Sequence, residues 1–296
     1  MAIADRRWHV GMFRNLFSGF TAALGIALAM SNSADAFQSK PDVPPVLDAK
    51  SQKIEDLVKS AITRMDAGHW DAAMQDCTAA LQVDEKSGRA LVARGMVYNG
   101  KGEYDNAIKD FDAVTATTGR EPAMLINRAD AYAERSHTLF QQGKFLDAID
   151  SAYFATLEKG DHIKAHLNRG LAYIARREFD KAINSSNRAI NADKDSADAY
   201  SLRGLAYGAK GNFDQALADE NKAVELNANL AVAYQRRAAA YVAKKDVAKA
   251  AADFNKSVAL QQKNLADVLC DRAYFYALNR DAVKAMADLD LAIQKD

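Results

Sequence analysis

The side chains in this chain that could do chemistry, by type and spacing, are arginines and aspartates that recur at one interval. Arg94, Arg128, Arg169, Arg203, Arg237 and Arg272 form one series, and Asp76, Asp110, Asp219, Asp253 and Asp288 form the other. A row of guanidinium groups can bind an anion; the same row matched by carboxylates of equal period makes a structural ladder of ion pairs. The matched periods favour the ladder. Ser151 and Ser185 stand where an aspartate is due in the third and fourth intervals, which leaves Arg169 and Arg203 as the candidates for an acidic ligand.

Other reactive types are sparse. His162 and His166 lie four apart beside Asp161, a spacing that can chelate a metal on one helix face, but no third ligand accompanies them and no metal is assigned. Cys77 and Cys270 fall in the first and last intervals and read as small apolar core residues. Gly-rich phosphate loops and nucleophile elbows are absent, so the chain is expected to be non-enzymatic and to use no cofactor. Lysine plus arginine balance aspartate plus glutamate at 39 each, which points away from nucleic acid as a partner.

The amino terminus reads separately. Arg6, Arg7 and Arg14 precede an apolar run from Leu16 to Met30 that ends in Ala34-Asp35-Ala36. A basic start, a short apolar middle and an A-x-A ending are the parts of a secretory signal, predicted here over residues 1–36 with cleavage before Phe37. An uncleaved anchor is the alternative, although the run is shorter than the roughly 20 residues a membrane span needs. Residues 37–53 carry Pro41, Pro44 and Pro45 and read as an extended spacer. The expectation is an exported, periplasmic protein with no membrane contact once the signal is removed.

From residue 54 to 296 one skeleton repeats about every 34 residues, starting near Ile54, Gly88, Pro122, Ile163, Ala197, Ala231 and Ala266. A small residue comes eighth (Ala61, Gly95, Ala129, Gly170, Gly204, Ala238, Ala273), and a tyrosine three later in all but the first, which has Arg64. Gly68, Gly102, Gly143 and Gly211 mark a turn that Arg177, Lys245 and Arg280 occupy elsewhere. This describes two helices of about 13 residues meeting at a turn, each pair needing its neighbours to bury its apolar face. In the third repeat Tyr132 and Ala148 are too far apart by seven residues, an insertion around AERSHTLF. Seven residues are almost two helical turns, so the first helix is expected to run on in phase, either as a tolerated insertion in a solvated tip or as a ridge carrying Glu134, Arg135, His137 and Phe140 that contacts a partner.

The skeleton resembles the tetratricopeptide repeat family. That resemblance implies an all-α solenoid of about seven helix-turn-helix repeats, a non-enzymatic scaffold or adaptor role, and a protein or peptide partner held in an inner groove lined by the first helix of each pair. Carried over position by position, the groove would present Asn127, Asp130, Lys164, Leu167, Asn168, Leu171, Ser201, Leu205 and Gln235. A carrier or regulatory module for a small or polymeric ligand such as a glycan is the alternative. The last helix mixes Met286, Leu289 and Ile293 with charged residues, and Met286 and Ile293 are candidates for an end-face contact with a second copy or a partner.

Overall fold

The structure, a computed structural model, describes residues 48–120, 122–260 and 265–295. The expected signal, residues 1–36, and most of the expected spacer lie outside them. The described residues form fourteen helices and no strand, in seven consecutive pairs. The pairs are α1 (Ala49–Asp66) with α2 (Trp70–Val83), α3 (Gly88–Gly100) with α4 (Tyr104–Thr115), and α5 (Pro122–Gln141) with α6 (Phe145–Glu158). There follow α7 (Ile163–Ala175) with α8 (Phe179–Ala192), α9 (Ala197–Lys210) with α10 (Phe213–Leu226), α11 (Ala231–Ala243) with α12 (Val247–Leu260), and α13 (Leu265–Leu278) with α14 (Ala282–Lys295). The described residues divide within α7 into two compact units, one ending at Asn168 and one beginning at Arg169.

In the first unit, Ile54, Val58, Ala61 and Met65 of α1 pack on Ala73, Cys77 and Ala80 of α2 and on Ala90, Ala93 and Val97 of α3. Burial of that many methyl groups, at about 25 cal/mol per Å2, is what a lone pair could not achieve. Gly95 shows why the eighth position is small: a Cβ there would come within 2.4 Å of the Phe111 ring. In the second unit Ala197, Ala223, Leu230 and Ala233 form one such cluster, and the Phe254 and Phe275 rings meet at 5.4 Å.

Each pair is joined through one left-handed residue. Gly68, Gly102, Gly143 and Gly211 adopt φ of 77°, 76°, 73° and 90°, and Arg177, Lys245 and Arg280 adopt 63°, 63° and 61° at the equivalent sites. The chain therefore keeps the turn where it does not keep the glycine.

Two boundaries differ from the sequence reading. Helix α1 opens at Ala49, because Asp48 caps it by accepting the Ser51 N–H at 2.7 Å, so residues 49–53 belong to the helix and not to the spacer. In the third pair the extra residues lie at the start of α5, not around AERSHTLF. Arg135 reaches Ser151 across the same 16-residue separation that joins Arg94 to Asp110. Buried Ser136, donating to the Ala148 carbonyl, takes the small-residue position assigned to Ala129. Residues seven apart share a helix face, so sequence alone could not choose between the two registers. Glu134, Arg135, His137 and Phe140 consequently sit in the packed part of α5, with Phe140 against Phe145 at 5.4 Å.

Candidate functional site

The periodic arginines are structural. Arg94, Arg203, Arg237 and Arg272 each donate twice to the aspartate sixteen residues on, at 2.6 to 2.8 Å. The same guanidinium also reaches the preceding pair, Arg203 to Asn187 at 2.7 Å, Arg237 to Asn221 at 2.9 Å and Arg272 to Asn255 at 2.8 Å. In the first pair Ser60 replaces the arginine and Arg64, one turn later, supplies the charge to Asp76 at 2.8 Å. That is the reason the tyrosine is missing there.

Arg203 is thus not an open anion site: Asp219 occupies it. The 16-residue separation sets Ser151 opposite Arg135 and Ser185 opposite Arg169, not opposite Arg203. Arg169 lies over the Tyr173 ring at 5.8 Å. Arg128 bonds Glu158 and the Thr117 and Gly119 carbonyls, tying the front of α5 to the end of α6.

In the first unit the first helices meet through polar contacts. His162 Nε2 lies 3.1 Å from Asp130, and its Nδ1 accepts the Ala165 N–H at 3.2 Å. That second bond makes Nε2 the protonated nitrogen and His162 the cap of α7. His166 Nε2 bonds the Gly160 carbonyl at 2.9 Å. Each ring of the His162–His166 pair is therefore already engaged, and no group of three or more metal-binding side chains occurs among the described residues. Lys164 pairs with Glu134, and Asn168 donates to the Ala133 carbonyl at 2.8 Å. Burial and nearby Lys164 push the His137 imidazole down to about 4, so it is neutral at pH 7.

The second unit holds a cluster of charge in its core. Glu220 is 1% exposed and Arg236 is 5% exposed, and Arg236 donates to buried Ser201 at 2.7 Å. Burial drives the Glu220 carboxyl well above its usual range, with Arg236 and Ser201 opposing. Burial lowers Arg236, which Glu220 and Asp198 hold up, and raises Asp198. Next along, Gln235 donates to Asp271 at 2.7 Å. Burial, with Asp267 adding, lifts Asp271 to about 7 against that hydrogen bond.

Of the residues expected to line a groove, Leu167, Asn168, Leu171, Ser201 and Leu205 are buried and pack the helices on one another. Asn127, Asp130, Lys164 and Gln235 keep a partly exposed surface, as do Asp198 and Asp267 on equivalent first-helix positions. Glu220, Arg236 and Asp271 were missed. Their signal was a departure from the repeat, since Glu220 stands where Phe111 and Phe254 stand in other pairs. Cys77 is buried, its thiol pushed up to about 12, whereas Cys270 is exposed and not the core residue expected. On α14, Val283, Met286, Leu289 and Ile293 are all exposed.

These helix pairs are also found elsewhere. Patterns described as tetratricopeptide repeat match residues 58–122, 197–230 and 231–264, and one described as TPR repeat matches 170–211. Tetratricopeptide repeat protein 14 of Mus musculus is 31% identical over 91 residues, which is 31% of this chain and only 12% of that protein. A tetratricopeptide repeat protein from Parabacteroides merdae superposes with a TM-score of 0.59 at 20% identity, over 82% of this chain and 93% of its own. A thermophilic TPR protein of Thermus thermophilus gives 0.53 at 23%, over 64% and 99%. At such identities the two structures speak for the fold alone. With the pattern matches falling in both units and the helix pairs repeating at the same period, the chain belongs to the tetratricopeptide repeat family.

Proposed function

We propose that the protein is a non-enzymatic scaffold or adaptor of the bacterial envelope, exported by its first 36 residues, that holds a segment of another protein against the first helices of its pairs. The observation carrying this reading is the row of partly exposed amide and carboxylate groups on those helices, Asp198, Gln235 and Asp267 in the second unit, set over a closed core of alanines, leucines and the buried Glu220, Arg236 and Asp271. Such a surface offers directional bonds to the backbone and side chains of a peptide.

A photo-crosslinking residue at Gln235 or Asp267 is expected to trap one protein partner in the producing cell, and the same residue at outward-facing Asp214 is expected to trap none. Equal capture from all three positions would refute a partner on the first helices. Sequencing the amino terminus of the exported form should give Phe37. The exposed apolar side chains of α14 support a contact with a second copy or partner, which Met286→Glu should weaken; a mass in solution that is monomeric at every concentration, with partner capture unchanged in the variant, refutes it.

A further inference from the structure

Helix α6 departs from its counterparts on the side that faces solvent. Leu146 is 58% exposed, Tyr153 48%, Phe154 46% and Leu157 61%. At 100° per residue these four fall on one stripe of α6, opposite the buried Ala148, Ser151, Ala152 and Ala155. The other pairs serve as internal controls. The position of Leu146 is Asp71, Asp105, Asp180 or Asp214 in four of them, and that of Leu157 is Gln82, Asn191, Glu225 or Gln294 in four. Phe154 replaces Arg188, Lys222 and Lys256, and only α14 is partly alike, with Val283 and Leu291.

The change gives up something. Each of those four aspartates accepts a side-chain bond from the following pair, Asp71 from Lys101, Asp105 from Gln142, Asp180 from Lys210 and Asp214 from Lys244. Leu146 can accept none. The fold gains little in return from Leu146 and Leu157, whose side chains are mostly bare, while Phe154 leans on Tyr132 at 5.4 Å. An apolar stripe that stays in water and adds little to the packing marks a contact with something else.

Charge selects the occupant. Asp150 lies in the middle of the stripe and Asp147 along its edge, both exposed, and α6 carries no basic residue. A second copy of α6 laid on the stripe would set these aspartates against their like, and an anionic lipid surface would be repelled in the same way. The stripe from Leu146 to Leu157 is about three turns, or roughly 16 Å, long. We propose that the outer face of α6 docks an amphipathic helix of another protein, its apolar side on Leu146, Phe154 and Leu157 and its lysines or arginines beside Asp147 and Asp150.

The test uses the full chain and a labelled synthetic peptide of about four turns, with leucines at helical spacing flanked by lysines, followed by fluorescence anisotropy. The natural chain should bind it. The double variant Leu146→Asp with Leu157→Asn, which installs residues native to these positions in other pairs, should bind it at least about tenfold more weakly while keeping its helical circular dichroism. A peptide with glutamates for lysines should bind as weakly as that, and Asp214→Asn, on the outer side of α10, should leave binding intact. Failure of the natural chain to bind, or equal binding by the variant or by the glutamate peptide, overturns the proposal. So does self-association of the natural chain that the double variant abolishes, which makes the occupant a second copy, or variant-sensitive sedimentation with phosphatidylglycerol vesicles, which makes it a membrane.

Discussion

Glu220 fills against Gly204 the space that Phe111 fills against Gly95. A Cβ on Gly204 would lie 2.8 Å from Glu220 Oε1, as one on Gly95 would lie 2.4 Å from the Phe111 ring. A carboxyl group has thus taken an aromatic core position, and the charge of Arg236 in the next pair opposes the rise that burial gives it. Desolvating two ions costs several kcal/mol each, and a well-packed apolar pair of similar volume is often the more stable arrangement. Glu220→Phe with Arg236→Leu should therefore raise stability by about 1 to 4 kcal/mol, while Arg236→Leu alone should lower it by about 1 to 3 kcal/mol by leaving buried Ser201 without its donor. Urea unfolding of the three chains decides. A double variant less stable than the natural protein would show that the pair is net favourable.

The repeat, its turns and the arginine ladder were legible because each rests on spacing, and spacing is what a sequence records directly. Depth was not. Period places Leu167, Leu171 and Leu205 on the first-helix face, yet whether a side chain ends in water or against the next helix depends on how closely the pairs approach, and here they bury them. The third pair failed for a different reason: Arg128 and Arg135 are one heptad apart and both fit the pattern, until the bond from Arg135 to Ser151 fixes the register. The polar core of the second unit was visible only as broken pattern, a Glu where a Phe recurs. The face of α6 leaves the same kind of trace, Leu146 where Asp105 and Asp180 stand in other pairs, and went unread because its meaning depends on the exposure of the side chains.

Asp271 gives the protein a pH response. Its carboxyl sits at about 7 when folded and near 3.8 when unfolded, so between those values the folded chain binds the extra proton. Stability from this group is fully present below about pH 4 and is lost as pH rises toward 7, by a few kcal/mol at most. Asp271→Asn keeps the acceptor for Gln235 and removes the charge. It should be more stable than the natural chain at pH 8 and show a flatter stability profile from pH 4 to 7. An unchanged profile in the variant would place the titration elsewhere.

The ladder predicts a contrast between two cations. Arg203 is 23% exposed and its partner Asp219 is 8% exposed, so Arg203→Gln leaves a largely buried carboxylate without its two charge-assisted bonds. A loss of about 1 to 3 kcal/mol is expected. Lys210 and Asp180 pair in the open, and Lys210→Gln should change little. Thermal melting of both variants measures the difference. Equal melting would mean that Arg203 is not a structural member of the ladder.

The turns allow the reverse kind of test, in which a substitution improves the fold. Arg177, Lys245 and Arg280 hold φ near 60°, where a Cβ is crowded and glycine is not. Arg176 and Lys181 both pair with Glu178 beside Arg177, so this turn keeps its ionic links if Arg177 is exchanged. Glycine relieves the crowding but loosens the unfolded chain, and the first effect is expected to win by a few tenths to about 1 kcal/mol per site. Arg177→Gly, Lys245→Gly and Arg280→Gly should each raise the melting temperature, and their effects should add because the sites lie in different pairs. At Gly102, with φ of 76° and nothing within 4 Å of a built Cβ, Gly102→Ala should lower it through backbone strain alone. If the glycine variants melt lower than the natural chain, the left-handed conformation is not strained at these positions and the side chains hold the turn by contacts of their own.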